Sequence, residues 1–306
     1  MQHFADAGCP WDYSAEPVRV ALEQRYGEQL VWRTVQVGLH ETGDVMAMKG
    51  YTTLGLAESY RRFQQRYGMP FCVLERQRLM GTWTGARAVK AAEAQGPECG
   101  AGFLRRLRLA WFVESRPVDE PAALLDMARE IDGLDVTRLA RDLTDRETAR
   151  ALADDMAHAR RPDAVALALD KTTHPKGEPG ERYTTPTYVF TCNSETATVP
   201  GFQPLEAYEV ALQNLAPRLE RRPPPEPLEF LAQRPGEIHA AAEVAAATGH
   251  RREHVEKRLA ELAQSGQAVR IPASMGQLWS FGPPKFTPRC PPHPEVPADL
   301  QRGDLS

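Results

Sequence analysis

No stretch of the chain approaches the roughly 18–20 consecutive apolar residues that a bilayer-spanning helix needs, so the sequence offers no membrane segment. A surplus of either charge is also missing. Lys and Arg total 37 against 41 Asp and Glu, a net −4, which makes no global demand for nucleic acid or an anionic surface. The five cysteines (9, 72, 99, 192 and 290) are odd in number and share no paired spacing. That argues against a secreted disulfide framework and against a zinc site. Residues 1–6 lack both a basic n-region and an apolar h-region, so no secretory leader is expected and the location read from the sequence is cytoplasmic. Phosphate-cradling glycine loops, a Gly-x-Ser-x-Gly elbow and a dinucleotide fingerprint are absent too.

What the chain does have is Gly8-Cys9-Pro10-Trp11-Asp12, between a few strand-like residues and a predicted helix. A cysteine there points its sulfur at unpaired backbone N–H groups, which together with the helix dipole favour a thiolate. A dithiol motif would carry a second cysteine three positions on, but position 12 is aspartate. Cys9 is therefore a candidate nucleophile without a neighbour to resolve it, and Cys72 and Cys192 are the other thiols considered for that task.

With 306 residues the chain accommodates two domains. A short strand at His3-Phe4-Ala5 precedes a helix from about Ser14 to Tyr26, which Pro17 should either kink or confine to regular hydrogen bonding in its later part, and which Gly27 should stop. Residues 30–37 alternate as a strand ending at Gly38. From about 54 to 160 the period is helical, with Leu104, Leu107 and Trp111 among the inward positions. Residues 183–190 and 197–201 read as strands, and 204–215 as a helix with proline in its first turn. This order predicts an α/β fold, a mixed sheet carrying helices.

These residues resemble the DsbA-like branch of the thioredoxin superfamily, which includes kappa-type glutathione transferases and hydroxychromene carboxylate isomerases. The resemblance rests on Cys9-Pro10-Trp11 with Tyr13, on Val37-Gly38-Leu39, on Thr185-Pro186-Thr187, and on Val199-Pro200-Gly201-Phe202-Gln203-Pro204. It covers residues 1–216 and implies a thioredoxin-like fold with a long α-helical insertion. It also implies that Pro186 is cis and faces the cysteine, leaving the Thr185 backbone to pair with glutathione or an extended peptide. Asp12 departs from the dithiol pattern and should oppose a thiolate at Cys9 electrostatically.

A proline-rich linker over 217–227 leads to a unit at 228–282 that reads as three helices and a hairpin, similar to a small winged helix-turn-helix domain. Its third helix mixes Arg251, Arg252, Lys257 and Arg258 with Glu253, Glu256 and Glu261. That near-balance favours a protein contact over DNA, which needs a positive surplus. Residues 283–306 are expected to be disordered. The pattern His250-Arg251-Arg252-Glu253-His254 resembles a metalloprotease helix, but it opens an arginine-flanked helix without a cleft, and no metal is expected.

Two functions follow. One is a monothiol oxidoreductase in which Cys9 attacks a disulfide or activates glutathione as a co-substrate, no cofactor being tightly bound. In it Trp11 shields the sulfur, Asp12 acts as a base or hydrogen-bonds a substrate, Thr185 and Pro186 orient the ligand, and Pro10 and Trp11 join them in binding substrate. The other is a non-catalytic adaptor whose groove and winged-helix unit bind a protein partner or DNA. Trp11, Tyr13 and Trp32 are candidate pocket aromatics. Arg61-Arg62 and Arg105-Arg106-Arg108 are either anion sites or solvated faces.

Overall fold

In the computed structural model, which describes residues 1–175, 180–289 and 291, strand β1 (Gln2–Ala5) leads to helix α1 (Pro10–Ser14). Ala15, at φ −89° and ψ 0°, interrupts the helical path before α2 (Glu16–Tyr26) begins. The predicted helix is thus divided, and of the two readings of Pro17 the one that confines regular helix to the later part is the one observed. Pro17 falls in the first turn of the second, where a missing N–H costs no intrahelical bond, so it opens a helix and does not bend one. Strand β2 (Arg33–Gln36) is the central part of the expected strand.

The helical insert holds α3 (Gly43–Met48), α4 (Thr53–Tyr67), α5 (Trp83–Glu93) and α6 (Pro97–Phe112). It continues through α7 (Pro121–Ala128), α8 (Val136–Asp142), α9 (Arg146–Ala159) and α10 (Ala164–Ala168). Thr52, Asp145 and Asp163 cap α4, α9 and α10 by accepting from backbone amides of the first turn. An antiparallel pair, β3 (Thr172–Thr173) and β4 (Arg182–Tyr183), precedes a cis Thr185–Pro186 bond and then β5 (Thr187–Cys192). The strand expected over 183–190 is accordingly divided. β6 (Glu195–Pro200) and α11 (Leu205–Leu215) complete the body.

The sheet runs β2–β1–β5–β6, with β1 parallel to β2 and antiparallel to β5. One face carries Phe4, Val35, Val37 and Tyr183 under Ala159 and Ala166 of α9 and α10. The other carries Tyr188 and Phe190 under Leu22 and Tyr26 of α2 and Tyr208 and Leu212 of α11. A further core joins the insert to α1 and to the chain beyond residue 226: Tyr13, Tyr60, Phe71, Phe103 and Phe112 share one cluster with Ile238, Ile271 and Leu278.

Beyond residue 226 come α12 (Pro227–Ala232), β7 (His239–Ala240), α13 (Ala241–Thr248), α14 (Arg252–Gln264), β8 (Val269–Ala273) and β9 (Gly276–Ser280). The strands form an antiparallel sheet in the order β7–β9–β8. The helices and hairpin lie close to where the sequence puts them, whereas β7 is too short to show a period. The unit is docked on the body: α13 lies against α2, Val20 of α2 joins the unit's apolar cluster, and Gln24 bonds Gln233 and Arg234. Part of the segment expected to be disordered is packed as well. The Lys285 amide donates to Gly236 at 2.9 Å, and the Arg106 guanidinium lies 4.5 Å from the Phe286 ring centre. A single aromatic residue found a site that proline content concealed. Residues 290 and 292–306 of that segment lie outside the described residues.

Phe112 is fully buried and stacks on Tyr13 at 4.8 Å between ring centres. Phe112→Ala is expected to cost about 3–5 kcal/mol, read as a lowered urea midpoint with an unchanged slope.

Candidate binding groove

Cys9 occupies the N-cap position of α1, and its backbone carbonyl accepts the Tyr13 amide at 3.0 Å. The tight entry depends on Gly8, where a Cβ would stand 2.6 Å from Cγ2 of Thr82. The sulfur is 4% exposed and donates to the Thr185 carbonyl at 3.5 Å. Burial first, and then the negative charge of Asp12, push the Cys9 thiol up to about 12. Hydrogen bonds from Thr185 and the Asp12 backbone pull the other way without reversing this. The balance of these effects opposes the expected thiolate. A five-residue helix supplies too little field to offset the desolvation of the sulfur.

Asp12 does not face the groove. Its carboxylate is buried, with Oδ1 at 2.8 Å from His3 Nε2 and Oδ2 accepting the Asp6 amide at 3.0 Å. Arg108 of α6 donates to the same Oδ2 and also to Glu16. Burial pushes Asp12 up, but the charges of Arg108 and His3 outweigh it and hold the carboxyl below its usual range. This contradicts a role as base: an ionised carboxylate locked between a guanidinium and an imidazole has no reach toward a substrate. Asp6 pins the other side of the loop, accepting from Gly8 at 2.8 Å and from Leu39 at 2.9 Å.

The groove over the sulfur encloses about 370 Å³. Cys9, Pro10, Trp11 and Thr185 line it, and Pro186 is buried directly behind Thr185. Trp11 is 46% exposed at the rim, edge-to-face with Phe63 at 4.8 Å. The opposite wall, which the sequence reading missed, comes from α3 and α4: Met46, Leu56, Ser59, Tyr60 and Phe63. The spacing of Leu56, Tyr60, Phe63 and Tyr67 is a helical apolar stripe and was the available signal. Tyr51 and Leu54, also exposed, extend the apolar rim. Among the described residues no Asp or Glu lines this groove.

The other candidates lie elsewhere. Cys72 is fully buried, and Cys192 ends β5, roughly 17 Å along the strand from Thr187 at ~3.3 Å per residue. Neither lines the groove. Tyr13 is core, its hydroxyl donating to the Pro70 carbonyl at 3.0 Å, and Trp32 packs edge-on to Tyr188. Arg61 and Arg62 are exposed on α4. Arg106 and Arg108 are each 2% exposed, which contradicts both an anion site and a solvated face. α6 is covered on opposite sides, so its arginines meet carboxylates: Arg106 meets Glu114 at 3.0 Å, and Arg105 meets Glu16 at 3.3 Å and Glu243 at 2.6 Å. His250 precedes α14, so its spacing to His254 is not one helical turn. Among the described residues no three His, Cys, Asp or Glu groups gather as metal ligands, and no helix is long and apolar enough to cross a membrane.

A thioredoxin family model, Thioredoxin_5, matches residues 3–163. The ClpXP adapter protein SpxH of Halalkalibacterium halodurans is 28% identical over 287 residues, spanning 91% of this chain and 87% of that protein. Two solved structures share the fold. A putative protein disulfide isomerase from Nitrosomonas europaea has a TM-score of 0.55 at 16% identity, over 70% of this chain and 95% of its own. A probable DsbA oxidoreductase from Streptomyces coelicolor has a TM-score of 0.50 at 19% identity, over 74% and 92%.

Asp12→Asn tests the locked carboxylate. Removing one partner of a buried pair is expected to cost about 3–5 kcal/mol at pH 7. Because the folded state depresses the Asp12 pKa, its contribution is complete above the unfolded value near ~4 and is lost as pH falls through the folded value. The stability gap between wild type and variant should therefore narrow between about pH 5 and pH 2. Urea unfolding at stepped pH measures it.

Proposed function

The chain belongs to the Thioredoxin_5 family of thioredoxins, with a DsbA-like fold, and from that premise we propose that it is an adapter and not an oxidoreductase. In this reading the groove holds an extended segment of a protein client, the docked C-terminal unit supplies a second contact, and the complex is presented to a ClpXP-type protease. The observation that carries the reading is the sulfur. It is buried, donates to a carbonyl, and has its pKa pushed up to about 12. Burial and the nearby carboxylate both disfavour the thiolate, which is the nucleophile of thiol–disulfide exchange.

Two further points support it. The match to a protein named a ClpXP adapter covers 91% of the chain, whereas residues 1–226 are only 226 of 306; the similarity therefore extends into the C-terminal unit. The groove also offers apolar and aromatic walls with few charges, suited to side chains of a polypeptide. On α14, Arg252 lies 3.5 Å from Glu256 and Arg258 3.4 Å from Glu261. Cations already paired with carboxylates favour a protein surface over a phosphate backbone as the unit's partner. The reading carries with it a cytoplasmic location, where scattered free thiols stay reduced.

The test uses the full chain. Iodoacetamide alkylation of Cys9, against a Cys9→Ser control, should stay slow through neutral pH and rise only above about pH 10, the behaviour of a thiol with a strongly raised pKa. Cys9→Ser should bind purified ClpXP within twofold of wild type by biolayer interferometry. A sulfur titrating below the ~8.5 of free cysteine, with glutathione–disulfide turnover that Cys9→Ser abolishes, would restore the oxidoreductase reading.

A further inference from the structure

Five buried side chains form an unbroken series of ion pairs that begins beside Cys9 and ends inside the C-terminal unit. Asp12 on α1 pairs with Arg108 on α6, and Arg108 with Glu16 on α2. Glu16 pairs with Arg105 on α6 at 3.3 Å, and Arg105 with Glu243 on α13 at 2.6 Å. Asp12, Arg108, Glu16 and Glu243 are at most 2% exposed at the side chain, and Arg105 is 17% exposed. At the far end Glu243 also accepts the Ala240 amide at 2.7 Å, and Arg105 donates to the Ile238 carbonyl at 2.6 Å. At the near end Asp12 accepts the Asp6 amide, fixing the loop that carries the cysteine.

We infer that the docked C-terminal unit holds the Cys9 loop closed through this series, so that engagement of the unit and opening of the groove are coupled. The argument rests on what each link does when its neighbour leaves. Glu16 is shared by Arg19, Arg105 and Arg108. Pulling Glu243 away would leave Glu243 a buried carboxylate without its guanidinium and Arg105 with Glu16 alone, an arrangement that favours repacking over stretching. Arg105 and Arg108 lie three residues apart on one helix and grip the same carboxylate. A displaced Arg105 shifts the Glu16 carboxylate that Arg108 also holds, and through Arg108 the shift reaches Asp12, whose neighbour Trp11 forms the rim of the groove. Two states follow, a docked one with the sulfur covered and an undocked one with loop 6–12 free. A ligand favouring either state shifts the other site by the same factor.

Two of the other contacts between unit and body lie on α2, away from the loop. Gln24 bonds Gln233 and Arg234, and Arg25 donates to the Ala246 carbonyl at 3.3 Å. They provide the control. The inference deepens the adapter reading by naming how its groove is regulated. It is read at a sulfur atom and needs no client or protease, so its failure and the failure of that reading are separable.

The experiment compares the rate of Cys9 alkylation at one fixed pH in the full-length protein and in Glu243→Gln, Arg105→Met and Gln24→Ala. The first two are expected to react at least tenfold faster, and Gln24→Ala within twofold of wild type. Equal rates in all proteins would overturn the coupling, as would an acceleration by Gln24→Ala matching the others, which would mark general loosening. Should the ion-pair variants fail to fold, reciprocity supplies a second measurement on the wild-type chain. Blocking Cys9 with methyl methanethiosulfonate should speed amide exchange in residues 241–248 at least fivefold, with Cys9→Ser unaffected by the reagent. Unchanged exchange there would sink the inference.

Discussion

Charge taken out of water and matched inside the protein is the constraint on which this molecule depends. Arg108 places one guanidinium between Asp12 and Glu16, and Arg105 joins Glu16 to Glu243. Each of these groups would be costly to bury alone. Their mutual arrangement fixes the relative positions of the cysteine loop, α2, α6 and the C-terminal unit. Apolar packing alone would hold those elements together with less specification of register, since a leucine accepts many neighbours and a forked guanidinium accepts few.

The position that dithiol relatives give to a second cysteine is here part of that arrangement. Asp12 removes the resolving thiol, adds a negative charge near the sulfur, and anchors the loop to α6. The second effect acts against a thiolate at Cys9. The third makes the loop a rigid edge of a groove whose other wall is apolar.

Much of this was legible in the sequence because it depends on local period and special residues. Cys9-Pro10-Trp11, the Thr185-Pro186 bend and the helix stop at Gly27 are short signals with a backbone cause. The division at Ala15 was not legible, since Pro17 is compatible both with a kink and with a first turn, and only the neighbouring backbone decides between them. The fate of the arginines was hidden for a different reason. Arg105, Arg106 and Arg108 are spaced as a solvated helix would space them, and their carboxylates come from residues 12, 16, 114, 130 and 243. Burial of a charge is a property of the tertiary neighbourhood and leaves no periodic trace. The wall made by α3 and α4 showed itself only as an amphipathic stripe, which most helices carry.

The sheet also imposes an order of events on the chain as it folds. β1 is four residues long and its two ladders are of very different reach: Phe4 pairs with Val35 nearby and with Thr187 far away. A contact spanning some 180 residues closes late, because the entropy of that large loop must be overcome before the pairing contributes anything. During synthesis the insert helices have local partners and can form as they emerge, while β1 waits with one apolar edge open. The protein's most central strand is therefore among the last to be completed. Its newly made chains are most exposed to misassociation in the interval before β5 leaves the ribosome.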